Sequence, residues 1–150
     1  MSMIHHPSDR SVWNLHNFMV PNPAAGAGWT TTIDNRTQFE LCSCGFQFTA
    51  DANVADRILR LVVISGIYEV CAVGMDIVIA ANAVRRPFWM KGLGQYQRVY
   101  NYIYYSMPWP EDVILNGGMR LACEVDGIQA GDAITNISVM GKRWLDPVNL

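Results

Sequence analysis

The chain has 150 residues, a formal net charge of −2, 51% hydrophobic residues and only 16% charged ones. That length suits one domain with a real core. The charge excludes the electrostatic footprint of a nucleic-acid binder, because Arg85-Arg86 and Lys142-Arg143 are pairs and not a groove-length basic track.

So little charge favours a chain that buries extra surface in an assembly. No apolar run follows the first basic residue, so no signal peptide is expected, and the sequon Asn35-Arg36-Thr37 has no secretory context to act in. Cys42, Cys44, Cys71 and Cys123 do not show the spacing of a disulfide framework and read as free, buried thiols.

Residues 1–35 read as an irregular N-terminal arm. Pro7, Pro21 and Pro23 limit regular structure there, and residues 24–28 read as loop. Within the arm, residues 11–20 carry Trp13 and Phe18 and read as a short strand that docks its aromatics on the chain's own body or on a neighbour. A second short strand is expected over residues 29–33. Residues 36–150 then form the main domain. Phe39 and Leu41 share one parity, Phe46 and Phe48 the other, so a β-bulge is expected near Cys44-Gly45 to bring all four to one side. Residues 50–56 read as a connection.

Residues 57–81 are the densest apolar stretch. Arg57, Arg60, Glu69 and Asp76 interrupt it, so it does not read as a membrane span. Its valines, isoleucines and glycines disfavour a helix. Two strands are expected, over residues 57–65 and 69–79, with a tight turn at Ser65-Gly66. In the second, Cys71, Val73, Met75, Ile77 and Ile79 face the core. Val70, Ala72, Gly74, Asp76 and Val78 face away and offer a smaller surface to a neighbouring chain.

Residues 82–97 read as a long loop, because Pro87, Gly92 and Gly94 oppose one continuous strand. Phe88, Trp89 and Met90 in such a loop either form an interface or close one end of the sandwich. Residues 99–107 read as a strand. Its Tyr100, Tyr102 and Tyr104 stripe suits a sheet surface, a subunit contact or a sugar platform. Residues 108–112 form a rigid connection, a turn is expected at residues 116–118, and Met119, Leu121, Cys123 and Val125 mark a half-buried strand. The last strand covers residues 133–143. Ile134 and Met140 differ in parity from Ile137 and Val139, so a single buried face there needs a register shift.

Six to eight strands without a long helix predict an all-β chain, an antiparallel β-sandwich of jelly-roll type. Chemistry is sparse. His5, His6 and His16 all lie in the arm, and no nucleophile elbow or His-Glu-x-x-His motif occurs. Cys42-x-Cys44 would need Cys71 and Cys123 to make a zinc site, and those two read as core. No enzyme, cofactor or metal site is expected.

Three segments carry a resemblance: residues 46–61, with Asp51 and the step Asp56-Arg57; residues 107–121, with Pro108, Pro110 and Gly117-Gly118; and Gly131-Asp132 entering the last strand. In this order they resemble small β-sandwich accessory proteins of tailed-bacteriophage virions, of the capsid decoration or cement type. The resemblance spans about residues 38–144 and departs at residues 86–97. It implies a virion structural protein, homo-oligomeric and commonly trimeric, that binds the major capsid protein shell without cofactor, nucleic acid or membrane. A neck, collar or tail component is the alternative within that class. A carbohydrate-binding jelly roll, using Tyr100, Tyr102 and Tyr104, is the alternative outside it. The expected contact residues are Trp13, Phe18, Trp29, Phe88, Trp89, Met90 and Trp109.

Overall fold

A computed structural model describes residues 13–75, 77–92 and 104–145. Ten strands follow in order: β1 Trp13–Val20, β2 Trp29–Thr32, β3 Thr37–Thr49, β4 Ile58–Ser65, β5 Tyr68–Gly74, β6 Val84–Lys91, β7 Tyr104–Trp109, β8 Ile114–Asn116, β9 Arg120–Asp126 and β10 Ala133–Leu145. No helix occurs among the described residues. Sheet A runs β1-β10-β3-β6-β7, with β8 also on β3; sheet B runs β2-β9-β4-β5. Every pairing is antiparallel except β6 with β7. The chain is all-β, and its two sheets are consistent with a β-sandwich.

Strand alternation sets the core. Sheet A contributes Phe39, Leu41, Cys44, Phe46 and Phe48 of β3, and sheet B contributes Leu59, Leu61 and Val63 of β4 with Leu121 and Cys123 of β9, all buried. Aromatic contacts tie the layers together. Trp29 meets Phe46 edge-on at 6.1 Å, Phe46 stacks on Trp89 at 5.7 Å, and Trp89 Nε1 donates to Val73 O of β5 at 3.1 Å.

The register break expected in β3 exists, two residues earlier than Cys44. Ser43 pairs with Met140 but Leu41 with Gly141, which leaves Cys42 as the extra residue. A second shift lies in β10 between Thr135 and Ser138, where Asn136 has φ 56°. It brings Ile134 to the same buried side as Ile137 and Val139, while Met140 stays on the outside. The β4–β5 turn forms at Gly66-Ile67, with Gly66 at φ 62°.

One expectation is corrected. Residues 84–91 are a strand inside sheet A, not a loop. Pro87 lacks an N–H, and the β3–β6 ladder skips it: Gly45 pairs with Phe88, and pairing resumes at Phe48 with Arg85. The two short strands expected within the arm are present over its described part, and they dock on the chain's own sheets. β1 pairs along its whole length with β10, and β2 pairs with β9, so residues 13–32 supply an edge strand to each sheet.

Candidate interaction surface

The two outer faces differ in chemistry. On sheet B, Arg60 lies among Glu124 at 2.7 Å, Glu69 at 3.6 Å and Asp126 at 3.7 Å, so that face carries three carboxylates around one guanidinium. On sheet A, strand register sets out rows of neighbours. Met19, Ser138, Gly45, Phe88 and Ser106 form one row across five strands; Asn17, Met140, Ser43, Met90 and Pro108 form the next. Leu15, Lys142, Glu40 and Ile114 follow, then Trp13, Trp144, Gln38 and Asn116. Charges on this face lie in two places: Arg86 beside Phe88, and a cluster where Lys91 and Lys142 both reach Glu40, with Lys142 5.2 Å above the Trp13 ring.

Small side chains in the first two rows leave a groove of about 500 Å³ over Ser43, Gly45 and Ser138. Its walls include Phe88, Arg86 and Tyr104. The Arg86 guanidinium lies 5.4 Å from the Tyr104 ring and donates to the Tyr104 hydroxyl. It also donates through Nε and Nη2 to Gln47 Oε1, at 3.2 and 3.1 Å. Arg86 makes no ion pair with a carboxylate among the described residues. The groove therefore combines an aromatic wall, a held cation and hydroxyl groups.

Of the seven expected contact residues, the structure places Trp13, Phe88 and Met90 on the outer face of sheet A, all half-buried, with Phe88 and Met90 adjacent on β6 and Trp13 three strands away on β1. Phe18 lies on the inner side of β1, edge-on to Phe39 at 5.9 Å. Trp29, Trp89 and Trp109 are corrected from contact residues to core: each is at most 3% exposed, inside the chain's own sandwich. Tyr104 is exposed beside the groove; Tyr100 and Tyr102 lie outside the described residues. The sequence reading passed over Leu15 and Met19, though their alternation with His16 and Phe18 on β1 already marks an outward apolar pair.

Three of the four thiols, Cys44, Cys71 and Cys123, are unsuited to nucleophilic or ligand chemistry. Burial pushes the Cys44 thiol far up, and burial with the nearby Cys44 and Glu124 does the same for Cys123. Cys71 is raised by burial and by Glu69. Among the described residues no group of three or more His, Cys, Asp or Glu is placed to hold a metal.

A buried polar cluster lies at one end of the sandwich. Arg57 donates from Nε to Asp132 at 2.7 Å and from Nη2 to Asp51 at 2.6 Å. It also donates to the carbonyls of Ala55 and Asn53, at 3.3 and 3.0 Å. Asp132 in turn accepts the backbone N–H groups of Asp51 and Gln129, each at 2.8 Å. The hydrogen bond to Asp132 is the leading reason the Arg57 pKa is raised. These donors are spent on neighbouring loops, so the cluster fastens chain to chain and leaves no obvious valence for a ligand.

Comparison with known proteins finds no matching family model, no matching curated protein and no matching solved structure.

Proposed function

We propose that this chain is a structural subunit of a tailed-bacteriophage virion, one that decorates and stabilises the capsid as a homo-oligomer. The observation that carries the reading is the outer face of sheet A, where Trp13, Phe88 and Met90 share a surface with exposed Leu15 and Met19. A chain this poor in charge gains by covering such a face against other subunits. Each protein that bridges several capsid subunits adds its binding free energy to the stability of the closed shell. The test is co-sedimentation with assembled shells of the major capsid protein. Saturable capture of the wild-type chain, lost in Phe88→Lys/Met90→Lys, is the expected result; absence of capture at any concentration overturns the reading.

A second reading is favoured by the groove. Tyr104 offers an aromatic platform, while Arg86, Gln47, Ser43 and Ser138 offer the donors and acceptors that a saccharide's hydroxyls require. Glycan titration separates the two: saturable sugar binding lost in Tyr104→Ala, with no capture by shells, promotes a carbohydrate-binding module.

A further inference from the structure

We propose that two copies of this chain pair through the edge of β1 that no described strand covers, continuing sheet A across a two-fold axis at Asn17. This inference does not depend on the virion reading. A sheet edge exposes a row of backbone N–H and C=O groups that will template another strand unless something blocks it. The edges of these two sheets are blocked unequally. β2 has four residues and β8 three. β7 carries Pro108 in a six-residue strand. β5 carries Glu69, drawn to Arg60, and its ladder with β4 has a register shift.

β1 has none of these devices. Its eight residues, Trp-Asn-Leu-His-Asn-Phe-Met-Val, include no Lys, Arg, Asp, Glu, Pro or Gly. Its register with β10 runs unbroken from Trp13 to Val20, so no bulge turns the edge away. Leu15 is 63% and Met19 62% exposed on the same outward face.

The occupant is a second copy because the strand is complementary to itself. In an antiparallel pair, opposite residues share a face, so a two-fold pairing must match odd positions with odd. Centring on Asn17 sets Leu15 of each copy opposite Met19 of the other, with Asn17 meeting Asn17 between them. On the inner face His16 meets Phe18, a pair already adjacent within one chain at 5.3 Å. Centring on His16 instead sets Leu15 against Asn17, which leaves the 63% exposed Leu15 without an apolar partner and matches only Trp13 with Met19. No charge meets its like in either arrangement. The contact is isologous and closes at two chains.

The test uses the full chain in analytical ultracentrifugation and in cross-linking. The wild type is expected to be a dimer that dissociates on dilution. Leu15→Lys/Met19→Lys sets lysine against lysine twice and is expected to weaken association at least about tenfold, with the monomer's melting unchanged. Asn17→Cys, treated with oxidised glutathione, is expected to give a disulfide-linked dimer; two protein thiols are oxidised to one disulfide while the glutathione disulfide is reduced to two thiols. The wild type and Thr30→Cys, placed on the β2 edge, serve as controls and are expected to give none. A wild type that stays monomeric at millimolar concentration overturns the proposal. So does association untouched by the lysine pair, or cross-linking of Thr30→Cys as efficient as that of Asn17→Cys. Should the lysine variant fail to fold, the cross-linking comparison decides alone.

Discussion

Arg57 Nε lies 2.7 Å from Asp132 Oδ2, and neither side chain touches solvent. Arg57 stands just before β4 and Asp132 just before β10, so this pair joins a strand entrance of sheet B to one of sheet A. The polar connection through Asp51 and Asn53 closes around it. Residues 46–61 and Gly131-Asp132, far apart in the chain, thus meet here, and they meet as a structural fastening. A buried ion pair contributes little relative to an apolar replacement, and Asp132→Asn leaves Arg57 its second carboxylate, Asp51 at 2.6 Å. The substitution weakens a charged hydrogen bond without stranding the guanidinium, so it is expected to cost about 1–3 kcal/mol at pH 7. Urea unfolding is the check, with a lower midpoint at an unchanged slope. A loss under about 1 kcal/mol would mean that the hydrogen bonds, not the charge, hold the loops.

The same pair predicts an acid limb. Burial by itself raises the Asp132 pKa, but the hydrogen bond from Arg57, those from the backbone N–H groups of Asp51 and Gln129, and the Arg57 charge together leave it below its ordinary value. A carboxylate depressed in the folded state contributes stability above its unfolded pKa of about 3.9. That contribution drains away as pH falls below this value and through the folded pKa. Unfolding free energy should be flat in this contribution at pH 5–7 and decline below about pH 4. In Asp132→Asn this part of the acid limb should vanish, leaving a shallower slope between pH 4 and 2. Parallel slopes in the two proteins would assign the acid limb to other carboxylates.

Trp89 was expected in a loop, either as contact area or closing one end of the sandwich; the structure buries it in the core on a strand. The ring is fully buried against Phe46, and its N–H reaches Val73 of the opposite sheet. Trp89→Ala should therefore cost about 3–5 kcal/mol through the cavity and the lost cross-sheet hydrogen bond. Thermal melting and urea titration measure it. A near-native midpoint would show that the layers close over the gap.

What the sequence disclosed follows from how local each signal is. The β4–β5 hairpin was legible because period-two alternation and a glycine turn lie within twenty residues of each other. The break in β3 was legible because Leu41 and Phe46 cannot share a face without an extra residue. β6 was hidden by Pro87, whose cost the fold avoids by interrupting one ladder locally. Trp29, Trp89 and Trp109 were misplaced because an aromatic residue signals a core and an interface equally. Arg57 and Asp132 stand 75 residues apart, and nothing local distinguishes a charge that will be buried from one left in water. The outer face of sheet A needed the register itself, since its rows join residues from β1, β10, β3, β6 and β7.

Gly141 marks a close approach that the sequence did not announce. It lies on the buried side of β10 beside the extra residue Cys42, opposite Leu41. A Cβ there would sit 2.3 Å from Phe39 Cζ and 2.4 Å from the Glu40 carbonyl oxygen. The carbonyl belongs to the paired strand and cannot swing aside, so Gly141→Ala must push β10 off β3 or flatten the bulge. Overpacking of this kind costs roughly 1–3 kcal/mol. Gly74→Ala is the matched control. Its Cβ would meet only Arg60 Cγ, at an ordinary 3.6 Å, and a carbonyl at 3.9 Å. That substitution restricts the unfolded chain without crowding the folded one, so it should change stability by under about 1 kcal/mol, in the stabilising direction. Hydrogen exchange on β3 locates the damage. Gly141→Ala should speed exchange of the amides around Leu41 to Cys44 and leave β4 protected, whereas uniform acceleration in both sheets would show that the approach of Phe39 to Gly141 is not a local constraint.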